Sequence, residues 1–338
     1  MDKKSLSITA ERNYWLDNVK FILIFFVVLG HFLWDFLDHY YVEYLYYFIF
    51  LFHIPLFIFL SGFFSKSVVT KDKNKAVNYL LLYAIMQVIM WLIKDVDPTI
   101  AKPYYGCWYL EGLVIYNLLL PVIHKFKALP IFIISIIISL LVGIDTNINE
   151  VASLSRVFVF LPFFIAGYFT NEKTLLSLKT KRNMIISLFV FIGITVIIPK
   201  FMGDPFNVPL DFLWGCYPYK WLDISGGLLV DMGYRFGWYI VVFLFAGSIL
   251  LLIPNKKLPL ITDKGKRTLQ VYCLHLIAIQ LFKKTAMYAA IDTDFEVALF
   301  LMSSVILTLI LSIKLFSYPF NYIMNAKFQF LMRDSCKK

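Results

Sequence analysis

Long runs of apolar residues alternate with short polar stretches along almost the whole chain. Segments such as 21–33, 131–142 and 185–198 hold no Asp, Glu, Lys or Arg. With their flanks they reach the ~20 residues that a helix needs to cross a bilayer. Inside lipid, only a helix satisfies every backbone N–H and C=O within a single such segment. The pattern predicts an all-α integral membrane protein of about ten transmembrane helices in a single domain over 1–338. The expected helices lie roughly at 17–37, 44–64, 76–94, 107–123, 130–144, 152–170, 183–199, 228–253, 268–288 and 296–319.

The polar stretches alternate in charge. Basic ones are the N-terminus (Lys3, Lys4, Arg12), 66–75, 124–127, 173–182, 255–267 and the tail (Lys327, Arg333, Lys337, Lys338). Those between them, at 38–43, 95–105, 144–150 and 292–296, are acidic or neutral. Basic loops mark the cytoplasmic side, so both termini are expected to be cytoplasmic. No small-residue cleavage site follows the first apolar run, which reads as a retained helix rather than a signal peptide.

Composition agrees. Hydrophobic residues make up 60% of the chain and charged ones 16%, well short of the roughly one quarter that a soluble surface uses. The net charge of +10 is distributed among short loops, a topological signal that gives no reason to expect nucleic acid. The cysteines, Cys107, Cys216, Cys273 and Cys336, have no metal-ligand spacing, and no bound metal or cofactor is expected. Cys107 and Cys216 fall in expected outer segments, compatible with a disulfide, but they read as unpaired.

The long outer loop, 200–227 with its flank to Asp231, carries Trp214, Tyr217, Tyr219 and Trp221 beside Asp204, Asp211 and Asp223. Aromatic faces next to carboxylates suit a sugar-binding surface, with Trp214, Tyr217 and Trp221 as acceptor contacts. The same residues equally suit a segment lying at the membrane interface.

An ionisable group in a transmembrane helix is costly and usually faces a partner or a wet cavity. Asp17 and Lys20 stand one turn apart in the first helix and can pair. His31 lies eleven residues beyond Lys20, about three turns and roughly 16 Å further, and returns to nearly the same face. His53 in the second helix, which runs back, falls at a similar depth, so the two histidines could share one cavity. Arg156 in the sixth helix and His275 in the ninth complete the set.

The stretch ERNYWLDNVKFILIFFVVLGH resembles the first helix of membrane acyltransferase family 3, and within it the fucose 4-O-acetylase-like branch. Lys20 and His31 match the family's basic residue, ten intervening residues, then His. FHIPLFIFLSGFF is similar to the family's second-helix segment and supplies His53. SRVFVFLPFFIAGYF and GKRTLQVYCLHL resemble two further motifs and supply Arg156 and His275. Two departures stand out: Thr268 replaces the usual Ser, and WYLEG does not put Glu111 at the usual glutamate offset. No hydrolase-like SGNH domain follows the tenth helix, so transfer is expected to finish in the membrane domain or with a separate partner.

The resemblance implies a bacterial plasma-membrane O-acetyltransferase. Acetyl-CoA would be the cytoplasmic donor, and the acceptor a sugar hydroxyl of an envelope glycan or lipid-linked saccharide. His31 and His53 would be catalytic, acting by direct base catalysis or through a transient acyl-histidine. Lys20, Asp17, Arg156 and His275 would bind the donor, stabilise the oxyanion or orient the acceptor. A polytopic transporter or glycan flippase is the alternative, since it too would have many helices and intramembrane cations.

Overall fold

The computed structural model describes residues 14–67, 74–94, 99, 102–203, 206–222, 224 and 227–327, and every regular element among them is a helix. In chain order these are α1 (Tyr14–Leu33), α2 (Tyr40–Phe50), α3 (His53–Phe64), α4 (Lys75–Lys94), α5 (Trp108–Ile123), α6 (Ala128–Leu141), α7 (Leu154–Phe169) and α8 (Glu172–Ser177). Then come α9 (Lys181–Met202), α10 (Leu210–Trp214), α11 (Leu228–Leu252), α12 (Thr268–Phe282), α13 (Ala286–Ala289), α14 (Asp294–Leu311) and α15 (Ser317–Met324). Seven helical stretches among the described residues are long and apolar enough to cross a membrane. Three further helices, α5, α6 and α12, have 16, 14 and 15 residues, short of the ~20 of a straight crossing. The chain is an all-α integral membrane protein. Lys3, Lys4, Arg12, Asp204, Asp223, Arg333, Cys336, Lys337 and Lys338 lie outside the described residues.

The second apolar block is broken where the sequence suggests one helix. Pro55 has no N–H, and its ring would clash with the carbonyl four residues back, that of Leu51, in a continuous helix. The chain leaves helical geometry at Phe52 (φ −135°) and restarts at His53, which puts Pro55 in a first turn where proline is tolerated.

Helix α1 is central, in contact with α2, α3, α12 and α14. Trp15, Val19, Leu23 and Val28 on it are fully buried. Its start is tied to the end of α11 by Trp15 Nε1, which donates to the Leu250 carbonyl at 3.0 Å. Asn18 Nδ2 donates to the Pro254 and Lys256 carbonyls, both at 2.9 Å. Helices α3 and α7 meet at backbone contact through two glycines. A Cβ on Gly62 would strike the Phe164 carbonyl, and one on Gly167 the Phe59 carbonyl. Such small-residue crossings are how membrane helices gain close packing where lipid offers no hydrophobic drive. On the outward face of α9, Phe189 and Val196 are exposed, as expected of a surface solvated by lipid. Cys107, Cys216 and Cys273 are buried free thiols.

Candidate active site

The break before Pro55 decides what His53 can do. In an unbroken helix the His53 backbone N–H would bond to Ile49; here the side chain takes that place, with Nδ1 2.7 Å from the Ile49 carbonyl. A carbonyl only accepts, so the proton lies on Nδ1 and the lone pair of the neutral ring on Nε2. The ring is held edge-on against Phe50, centroids 4.5 Å apart. His275 is fixed in the same way: its Nδ1–H donates to the Val271 carbonyl at 2.9 Å, and its buried Nε2 has no hydrogen-bond partner among the described residues. The His275 ring lies 5.0 Å from that of His31, centroid to centroid.

His31 and His53 line one cavity of about 580 Å³ together with Arg156, Trp214 and Tyr217. The matched depth expected for the two histidines is therefore realised as a shared space. Arg156 reaches it from a strained turn. Ala152 and Ser153 both take left-handed backbone conformations just before α7, each at a cost of about 1–3 kcal/mol. Hydrogen bonds hold that turn: Ser153 Oγ donates to Glu111 at 2.6 Å and Ser155 Oγ to the Gly215 carbonyl at 2.8 Å. Gly215 is itself left-handed (φ +64°), where its missing Cβ would press Val159 at 2.9 Å. Arg156 then stacks over Trp108, 5.1 Å from the ring centroid, and its Nε donates to the Trp214 carbonyl at 3.3 Å. Glu111, engaged by Ser153, does not line the cavity.

The aromatic outer loop divides. Trp214 and Tyr217 line the cavity, with Trp214 tilted by 43° against Trp34 (ring centroids 4.9 Å apart) and donating Nε1–H to Tyr46 Oη at 2.9 Å. Trp221 is 51% exposed and does not line it, although its ring lies 6.1 Å from Tyr217. Glu150 and Asp211 supply carboxylates to the same wall. Burial raises the Asp211 carboxyl above its ordinary range, and the negative charge of Glu150 adds to the shift. Burial also pushes the Tyr217 phenol up to about 12, reinforced by Cys216, Glu150 and Asp211 and opposed by Arg156.

Lys20 belongs to a second, smaller cavity of about 160 Å³, with Val27, Ser61, Lys75, Tyr109 and Thr268. Its ammonium pairs with Asp17 at 3.0 Å, the one-turn contact expected from the spacing. Ile54, the residue after His53, lines both cavities. Lys20, Val27 and His31 therefore form one stripe of α1 that runs from the small cavity to the large one.

An acyltransferase domain, the acyltransferase-3 family model, matches residues 13–317. The chain belongs to the acyltransferase-3 family. It is a membrane O-acyltransferase. No curated protein and no solved structure matches the chain. Of the charged and histidine side chains that the resemblance brought forward, Lys20 lines the small cavity and His31, His53 and Arg156 the large one, while His275 packs against His31 and Asp17 lines neither cavity but pairs with Lys20.

Several side chains of the histidine cavity and its surroundings were not singled out from sequence. Trp34 follows His31 by three residues, and Tyr46 and Phe50 precede His53 by seven and three, so helical spacing could have marked them. Glu150 comes from a loop and carries no such signal, whereas Asp211, on α10, is one of the outer-loop carboxylates that the sequence offered. Arg235, also overlooked, is 1% exposed within α11, four residues after Asp231, a pattern plain in the sequence.

Proposed function

We propose that this acyltransferase moves an acetyl group from cytoplasmic acetyl-CoA to a sugar hydroxyl of an envelope glycan, in a bacterial plasma membrane. The observation that carries the reading is that the Lys20 cavity and the histidine cavity meet at Ile54. A long, thin donor with an anionic end suits the first; a hydroxyl-rich acceptor suits the second, whose wall is Trp214, Tyr217 and carboxylates. With the basic loops and N-terminus on the cytoplasmic side, the Lys20 cavity faces the CoA pool. Lys20 and Lys75 then attract the CoA phosphates, and the pantetheine arm runs along the α1 stripe towards His31.

The acceptor oxygen attacks the thioester carbonyl carbon. Its proton passes to a histidine nitrogen, the C–O bond forms, and the C–S bond breaks. The proton then goes to the departing thiolate. His31 is the preferred base, and His53 is held in the tautomer that offers Nε2 to a hydroxyl. Arg156, on the wall beside Trp214, orients the acceptor or balances charge on the developing oxyanion. An acyl-histidine relay would use the same residues in two steps.

The test is thiol release from acetyl-CoA by detergent-purified protein, with envelope polysaccharide as acceptor, for wild type and His31→Ala. Acceptor-dependent release lost in a folded variant is the expected result. Equal release by both removes His31 from the base role, and no release by either withdraws acetyl-CoA as donor.

A further inference from the structure

Asn117 of α5 lines the small cavity and is only 7% exposed. Its Nδ2 donates to the Leu113 carbonyl, one turn back on the same helix, at 2.6 Å. A carbonyl only accepts, so the amide cannot be turned the other way and Oδ1 remains an acceptor. Oδ1 is buried and has no hydrogen-bond partner among the described residues. A buried acceptor left unmet is costly, and more so in a wall shared with Val27, Leu60 and Leu113.

The hydroxyls nearest to hand do not meet it. Ser61 Oγ donates to the Phe57 carbonyl at 2.8 Å, so the 2.8 Å contact between Ser61 and Tyr109 uses the Tyr109 hydrogen. Tyr272 donates to the Gly106 carbonyl. All three residues line this cavity, and each has a single hydroxyl hydrogen, already spent. A cation is a poor partner as well, because Lys20 and Lys75 line the same space. The group that suits Oδ1 is therefore an uncharged N–H set between apolar segments.

Helix α5 also fixes where along a ligand that N–H must lie. It descends from Trp108, on the histidine cavity, through Tyr109 and Leu113 to Asn117 on the small one. The last three share one face at four-residue spacing. Asn117 is eight residues beyond Tyr109, about 12 Å nearer the basic loop at 124–127.

We propose that Asn117 is a donor-binding residue whose Oδ1 accepts from an amide N–H of the pantetheine arm, the one farther from the sulfur. With the thioester at the junction by Ile54, that amide lies on the cytoplasmic side, towards Asn117, and its flanking methylenes face Val27 and Leu113. The inference rests on the acetyl-CoA reading above and adds the contact by which the arm is recognised.

The experiment is calorimetric binding to the detergent-purified full chain of two ligands. One is CoA; the other is its analogue with ester oxygen in place of that amide N–H. Wild type is expected to bind CoA about tenfold tighter than the ester. Asn117→Leu, of similar volume, is expected to bind CoA about tenfold more weakly and to treat the two ligands alike. Asn117→Asp can donate to Leu113 when protonated and still offer an oxygen, so it is expected to keep the preference. This variant keeps the test decisive if Asn117→Leu does not fold, since loss of the preference in it removes Oδ1 from the contact. Equal binding of the two ligands by wild type overturns the proposal, and so does a preference that survives in folded Asn117→Leu. Wild type that binds neither ligand withdraws the acetyl-CoA reading itself, and the arm contact with it, a result distinct from the other two.

Discussion

The imidazoles of His31 on α1 and His275 on α12 lie 5.0 Å apart, with their planes inclined by 37°. His275 is fully buried and its Nδ1 is committed to the Val271 carbonyl, whereas His31 lines the cavity. If His31 is the base of the proposed transfer, His275 would act behind it as a positioning residue that packs against its ring. His275→Gln is expected to lower kcat by about 10²-fold and leave KM for donor and acceptor within about twofold. Steady-state thiol release across pH checks this. A rise in KM with unchanged kcat would instead put His275 in substrate binding.

Pro55 sets the orientation of His53 by breaking the helix before it. Pro55→Ala restores an N–H that can bond to the Leu51 carbonyl, making one helix from α2 to α3 the cheaper arrangement. The folded variant is expected to lose at least about tenfold in kcat, with a melting temperature equal to or above that of wild type. An unaltered kcat would mean that tertiary contacts, rather than the proline, hold the break.

The α3–α7 crossing carries His53 on one helix and Arg156 on the other. Gly62→Ala and Gly167→Ala each put a methyl into a backbone carbonyl that cannot move without moving its helix. Each is expected to cost about 1–3 kcal/mol, seen as a lower melting temperature in detergent. Gly193→Ala, whose Cβ meets nothing within 4 Å, is the control and should melt like wild type.

Lys179, just before α9, caps the C-terminal end of α11, donating to the Leu251 and Ile253 carbonyls at 2.7 and 2.6 Å. Burial lowers its pKa to about 8, below the ~10.4 of an unfolded lysine. Between those values the unfolded chain binds more protons at this position than the folded one, so stability gains with rising pH across that window and is flat below it. The melting temperature of wild type relative to Lys179→Met is expected to rise between pH 8 and pH 10.5. A constant difference would show that the carbonyls keep the ammonium protonated.

The two ends of the aromatic loop should separate in kinetics. Trp214→Ala removes a cavity wall and the bond to Tyr46, and is expected to raise acceptor KM up to about tenfold with donor KM unchanged. Trp221→Ala, outside the cavity, should change neither. Equal effects would mean that the loop acts as an interfacial anchor and not through acceptor contact.

The sequence by itself determined that this chain is helical and crosses a membrane, because apolar runs of bilayer length leave the backbone no other way to satisfy its hydrogen bonds. It also determined the α1 stripe, since helical period alone carries Lys20, Val27 and His31 onto one face. It could not show which polar groups from distant segments would meet. Glu150 lies in a loop and Asp211 on a five-residue helix too short to carry a period, and Trp221 differs from Trp214 only in which way the folded segment turns it. Only tertiary structure decided that His275 backs His31 and not His53, and that Ile54 is common to two cavities. The reason is physical: periodicity specifies the face of each helix, whereas the depth and rotation at which faces meet follow from close contacts such as Gly62 on Phe164 and Gly167 on Phe59, which exist only once the helices have docked.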